Sequence, residues 1–85
     1  MNDRDIILII ENWINEQKKE HFIVNFKELD SILSLSEGST ERNIKVAADK
    51  AGFDIYFARS KYRFPIAQKY CKNTLHSLSP TLNND

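Results

Sequence analysis

The sequence predicts an α+β fold that is mainly helical: a three-helix core, one short strand, a β-hairpin and an extra C-terminal helix. Three observations carry this. Apolar residues recur at helical spacing over Ile6, Ile9, Ile10, Trp13 and Ile14, and again over Ile44, Ala47, Ala48 and Ala51, the pattern of helices with one buried face. Gly52 directly follows the second stripe, and glycine is the residue best able to end a helix in the left-handed conformation. Beyond it, Asp54-Ile-Tyr-Phe-Ala-Arg-Ser-Lys-Tyr-Arg-Phe-Pro-Ile66 is rich in aromatic and branched residues, which suit two paired strands.

Each element follows from local chemistry. A first helix is expected from about Asp3 to Lys19, capped by Asn2 or Asp3, with Asp5 near its positive end and Lys18 and Lys19 near its negative end. His21-Phe22-Ile23-Val24 is a short β-prone run. Asn25-Phe26-Lys27-Glu28 then has a capping-box arrangement, opening a second helix to about Leu33 that buries Phe26, Leu29, Ile32 and Leu33. After the Ser34–Gly38 turn, Ser39 or Thr40 caps a third helix, which runs to Ala51. A hairpin tip at Ser60-Lys61 sets Ile55 opposite Ile66, Phe57 opposite Phe64 and Ala58 opposite Arg63, sorting the apolar side chains onto one face. Pro65 must then lie at an edge or a strand end. Tyr56, Phe57, Tyr62 and Phe64 read as core and hairpin packing rather than as a stacking platform. From Ala67 to Leu78 a last amphipathic helix places Ala67, Tyr70, Cys71, Leu75 and Leu78 on one side, and residues 80–85 read as a disordered tail.

The totals bound the function. Eighty-five residues make one domain, over residues 1–79. Cys71 is the single cysteine, which excludes an internal disulfide and a zinc cluster of cysteines, and a free thiol suits a reducing compartment. The apolar run Ile6–Ile10 is too short for a signal-peptide core or a membrane span, so a cytoplasmic location is expected. His21 and His76 have no ligand spacing with Cys71, and Gly38 and Gly52 are the only glycines, so neither a metal site nor a glycine-rich phosphate loop is expected. No nucleophile, base and oxyanion donor assemble; an enzyme and a bound cofactor are not expected.

Net charge is zero, yet the charge is unevenly spread. Residues 1–39 carry a net −4 and residues 40–72 a net +5, with Asp85 supplying the remaining −1. A polyanion responds to the local field and not to the total, so the second half is the part suited to phosphate.

The order of helix, short strand, helix, turn, helix and terminal hairpin, over roughly Ile6 to Ile66, resembles the winged helix-turn-helix family of DNA-binding domains. The resemblance implies that the third helix, Thr40 to Ala51, enters the major groove of double-stranded DNA, while the hairpin Asp54 to Ile66 is a wing that touches phosphates or the minor groove. The residues agree with that transfer. With Ile44, Ala47, Ala48 and Ala51 inward, Arg42, Asn43, Lys45, Val46, Asp49 and Lys50 face outward. Arg42 and Asn43 suit guanine and adenine edges, Lys45 and Lys50 suit phosphates, and Ser39 and Thr40 at the helix start form a phosphate clamp. Arg59, Lys61 and Arg63 lie on the wing. Glu41 and Asp49 depart from the pattern by placing negative charge on the same helix.

The expected function is therefore that of a small sequence-specific DNA-binding protein. It acts as a regulator or as an accessory factor marking a site for plasmid or phage transfer, partition, replication or recombination, as a homodimer or side by side on repeats, with a larger DNA-processing protein as a further partner. The alternative is a winged-helix module that docks proteins, without binding DNA, through its acidic first helix or its C-terminal helix.

Overall fold

A computed structural model describes residues 2–35 and 39–73. Its elements are α1 (Asp3–Gln17), β1 (His21–Asn25), α2 (Phe26–Ile32), α3 (Glu41–Ala51), β2 (Phe53–Arg59) and β3 (Pro65–Lys72). Among the described residues, three helices thus accompany a three-stranded antiparallel sheet in the order β1-β3-β2.

The helix ends are those the side chains dictate. The Asn2 side chain accepts from the Asp5 N–H at 2.9 Å and opens α1, while Lys18, in the left-handed region at φ 53°, closes it. The Asn25 side chain caps α2 by accepting from the Lys27 N–H, one residue earlier than the capping-box pattern implies. For α3 the cap is Thr40, whose Oγ1 accepts from the Asn43 N–H at 3.1 Å. Gly52 ends α3 at φ 82° and donates its N–H to the carbonyls of the last turn. Such a side-chain cap stabilises a helix by about 1 kcal/mol.

Ile6, Ile10, Trp13 and Ile14 of α1 are buried, as are Ile44, Ala47 and Ala48 of α3 and Leu29 of α2. The two alanines have no exposed surface, and their small side chains let α3 lie close against its neighbours. On the sheet side, Trp13 meets Phe22 and Tyr70 edge-on, with ring centroids 5.6 and 5.7 Å apart, and Phe22 stacks on Tyr70 at 4.6 Å. Edge-to-face and offset stacking are the geometries that aromatic quadrupoles favour. This cluster pins α1 to the strands.

The central strand replaces an expected helix. Residues 67–72, read above as the start of the C-terminal helix, belong to β3, which pairs with β1 as Phe22↔Tyr70 and Val24↔Gln68. It pairs with β2 as Ile55↔Tyr70, Phe57↔Gln68 and Ala58↔Ala67. The hairpin register expected from Ile55 facing Ile66 is accordingly overturned. The cause lies in β1: a lone strand leaves its backbone groups unpaired, and extending β3 through Lys72 satisfies both neighbours. Alternation along β3 then points Gln68 and Tyr70 inward, both fully buried. The Tyr70 hydroxyl donates to Gln68 Oε1, and burial pushes the Tyr70 phenol above its ordinary pKa. Leu75, Leu78 and the tail from Pro80 lie outside the described residues.

Two smaller expectations are corrected and a third is met. Ile32 is half exposed, because α2 ends there and Leu29 alone of its residues is fully buried. Phe64 is 68% exposed and Tyr62 70% exposed, since the longer turn carries both rings beyond the edge of the core. Pro65 opens β3, at a strand end as expected, the position where its missing N–H costs least.

Candidate nucleic-acid interface

The surface of α3 is set by its helical spacing. Successive residues turn by 100°, so burying Ile44, Ala47 and Ala48 sends Arg42, Lys45, Asp49 and Lys50 to solvent, and all four are exposed. Asn43 is not among them. It is only 2% exposed, and its Nδ2 donates to Asp3 Oδ1 at 3.3 Å across to α1. The expectation that Asn43 faces outward is overturned: it sits one step round the helix from Ala47, on the side that α1 covers, and it joins the two helices.

Ser39 is likewise withdrawn from solvent. Both its N–H and its hydroxyl donate to Asp30 Oδ1, at 2.7 and 3.0 Å, and the residue is buried. The expected clamp is thus filled by a carboxylate of the protein itself, which ties the start of α3 to α2. Thr40 stays exposed, with its hydroxyl oxygen engaged in the cap.

At the other edge of α3 the β2–β3 hairpin is fastened to it. Arg59, at the end of β2, donates from Nη1 and Nη2 to the two carboxylate oxygens of Glu41, at 3.2 and 2.7 Å. This fork-to-carboxylate geometry fixes direction as well as distance. The hydrogen bond from Arg59 holds the Glu41 carboxyl below the usual carboxylate range, and the same bond raises Arg59. Arg59 also lies 5.9 Å from the Phe57 ring centroid. Glu41, the departure from the expected basic pattern of α3, is therefore neutralised locally, and Arg59 is held against α3 rather than free at the hairpin tip, its expected place.

The turn beyond Arg59 is closed by Ser60. Its N–H donates to the Phe64 carbonyl at 2.8 Å, and its carbonyl accepts from the Arg63 N–H at 2.9 Å. Its Oγ accepts from the N–H groups of Tyr62 and Phe64. Arg63 takes the left-handed conformation at φ 68°. Lys61, Tyr62, Arg63 and Phe64 are all exposed, with the Lys61 ammonium 5.1 Å from the Tyr62 ring centroid.

The fold brings together Thr40, Arg42, Lys45 and Lys50 on one helix and its cap, and joins that helix to the end of β2 through Arg59 and Glu41. One basic residue escaped the sequence reading. Arg4 of α1 shares with Arg42 and Lys50 a groove of about 460 Å³, lined also by Ile7, the exposed Leu8, Asp3 and Glu11. Arg4 sits in the acidic first segment, and only the packing of α1 on α3 reveals its company. Among the described residues no group of His, Cys, Asp or Glu is placed to hold a metal, and no helix is long and apolar enough to cross a membrane.

Compared with known protein families, with curated proteins and with solved structures, the chain has no significant match.

Proposed function

We propose that this chain is a winged helix-turn-helix protein that binds double-stranded DNA, with α3 in the major groove and the β2–β3 hairpin as the wing. The single observation that carries the reading is an exposed, largely basic helix face bridged to a basic hairpin. Arg42, Lys45 and Lys50 of α3 are exposed, and the Arg59–Glu41 bridge locks α3 to a hairpin region that holds Arg59, Lys61, Arg63, Lys69 and Lys72 with no acidic residue from Ile55 to Asn73. Element order and a small sheet closed by the hairpin support the winged-helix assignment. Arg42 reads base edges, while Lys45, Lys50, Lys61 and Arg63 meet phosphates. With Asn43 turned inward, specificity in this reading rests on Arg42, the neighbouring Val46 and the shape of the site. The roles this reading fits are those of a cytoplasmic regulator and of an accessory factor acting as a dimer or on repeated sites.

The test is fluorescence-anisotropy titration of duplex DNA over a range of salt, followed by selection from a random pool. Binding should weaken steeply with salt, and Arg42→Ala with Lys45→Ala should remove one base contact and one phosphate contact, lowering the log–log salt slope by about 0.9 and relaxing the selected motif. No binding at low salt refutes the reading.

A second reading has one specific observation behind it. The groove between α1 and α3, lined in part by Ile7 and Leu8, suits a protein docking module. In that case a pull-down partner would be lost with Leu8→Glu while Arg42→Ala and Lys45→Ala stayed silent.

A further inference from the structure

The turn at residues 60–64 exposes more apolar surface than a wing that only touches phosphates requires. Tyr62 is 70% and Phe64 68% exposed, and Ile66 beyond them is also exposed. These rings alternate with cations along the chain, as Lys61-Tyr62-Arg63-Phe64. The display is rigid rather than loose. Ser60 supplies four of the turn's hydrogen bonds, two through its backbone and two through Oγ, so little ordering remains when a ligand arrives. Behind the turn, the Arg59–Glu41 bridge fixes its direction relative to α3.

Flat aromatic rings flanked by cations match the chemistry of unpaired nucleotides, in which a base presents a π-face and the adjoining phosphates present negative charge. A continuous duplex offers the rings no base face unless a step is unstacked, which costs free energy. We propose that the 60–64 turn is a base-stacking wedge: Tyr62 and Phe64 stack on unpaired bases while Lys61 and Arg63 hold the flanking phosphates, so the protein prefers DNA whose duplex is interrupted. The acid-free stretch from Ile55 to Asn73 supplies the charge complementarity and favours a polyanion over an acid-lined protein surface. This proposal rests on the DNA-binding reading above.

Two probes separate it from that reading: a continuous duplex, and the same duplex with a short single-stranded gap carrying a fluorescent adenine analogue. The full-length protein should bind the gapped probe at least about tenfold more tightly, about 1.4 kcal/mol, and should quench the analogue. In Tyr62→Leu with Phe64→Leu, which keeps apolar bulk but removes the rings, the preference and the quenching should vanish while affinity for the continuous duplex stays within about twofold. Both side chains are exposed, so the variant should melt like the parent; circular dichroism checks this. Equal affinity for the two probes, with duplex binding still dependent on Arg42 and Lys45, overturns the wedge and leaves the DNA reading standing. Loss of self-association in the double variant, with gap preference unchanged, also overturns it, because the rings would then be a subunit contact. No binding of either probe overturns both.

Discussion

Replacing Arg63 with glycine should make the protein more stable and a poorer DNA binder. Arg63 has φ 68°, where the Cβ of an L-residue crowds the following carbonyl at a cost of about 1–2 kcal/mol. The conformation is enforced, since the Arg63 N–H donates to the Ser60 carbonyl and the Ser60 N–H to the Phe64 carbonyl. Glycine removes the crowding but enlarges the unfolded ensemble, giving back about 0.5–1 kcal/mol. The net stabilisation is about 0.5–1 kcal/mol, or a rise of about 2–8 °C in Tm for a domain of this size. Arg63→Ala is the control, because it loses the same charge and keeps the Cβ; its Tm should stay near that of the parent. Both variants should lower the salt slope of duplex binding by about 0.9, the value of one phosphate contact. If the glycine and alanine variants melt alike, the left-handed turn carries no strain. If both bind DNA with the parent's slope, Arg63 is not a phosphate contact.

The core yields one further outcome and the bridge between α3 and the hairpin yields two. Gln68 Nε2 is buried without a hydrogen-bond partner, and Gln68 Oε1 has the Tyr70 hydroxyl as its donor. Tyr70→Phe should therefore cost about 1–3 kcal/mol by stranding the carbonyl as well, whereas Tyr70→Phe combined with Gln68→Met should lie close to the parent in denaturant unfolding, a coupling that strictly additive losses would disprove. Glu41→Gln should steepen the salt slope of DNA binding by up to about one unit, because it frees Arg59 and removes a negative charge beside it. The same bridge has a pH signature. Arg59 lowers the folded-state pKa of Glu41, so the stabilisation is complete at neutral pH, above the unfolded value, and is lost only as pH falls below the usual carboxylate range through the lowered value. The pair is exposed and the effect small; parent and Glu41→Gln melting temperatures should converge at the acid end and not at the alkaline end.

Much of the helical half was legible because its signals are local. The stripes of α1 and α3, the caps at Asn2, Asn25 and Thr40, and the stop at Gly52 each depend on residues within a turn or two of one another. What failed was decided by distant partners. Ala67 to Lys72 fits a helical stripe through Ala67, Tyr70 and Cys71 and a strand alternation through Gln68 and Tyr70. The need of β1 for a neighbour decides between them, and a buried glutamine conceals the alternation. Asn43 and Ser39 carry the side chains of base and phosphate readers, yet each is claimed by an aspartate on another helix, Asp3 and Asp30.

Those two aspartates bear on the zero net charge. Asp3, Asp30 and Glu41 each hold a polar or basic group at the start of α3 or the end of the wing, so three of the acids act as internal fasteners for the face proposed to meet DNA. Arg42, Lys45, Lys50, Lys61 and Arg63 remain exposed on the elements so fastened. A balanced total is then compatible with a basic face, because part of the balance is spent in positioning that face. The consequence is testable in one direction only: neutralising Asp30 or Asp3 should loosen α3 and lower DNA affinity despite making the chain more basic, the opposite of what net charge alone requires.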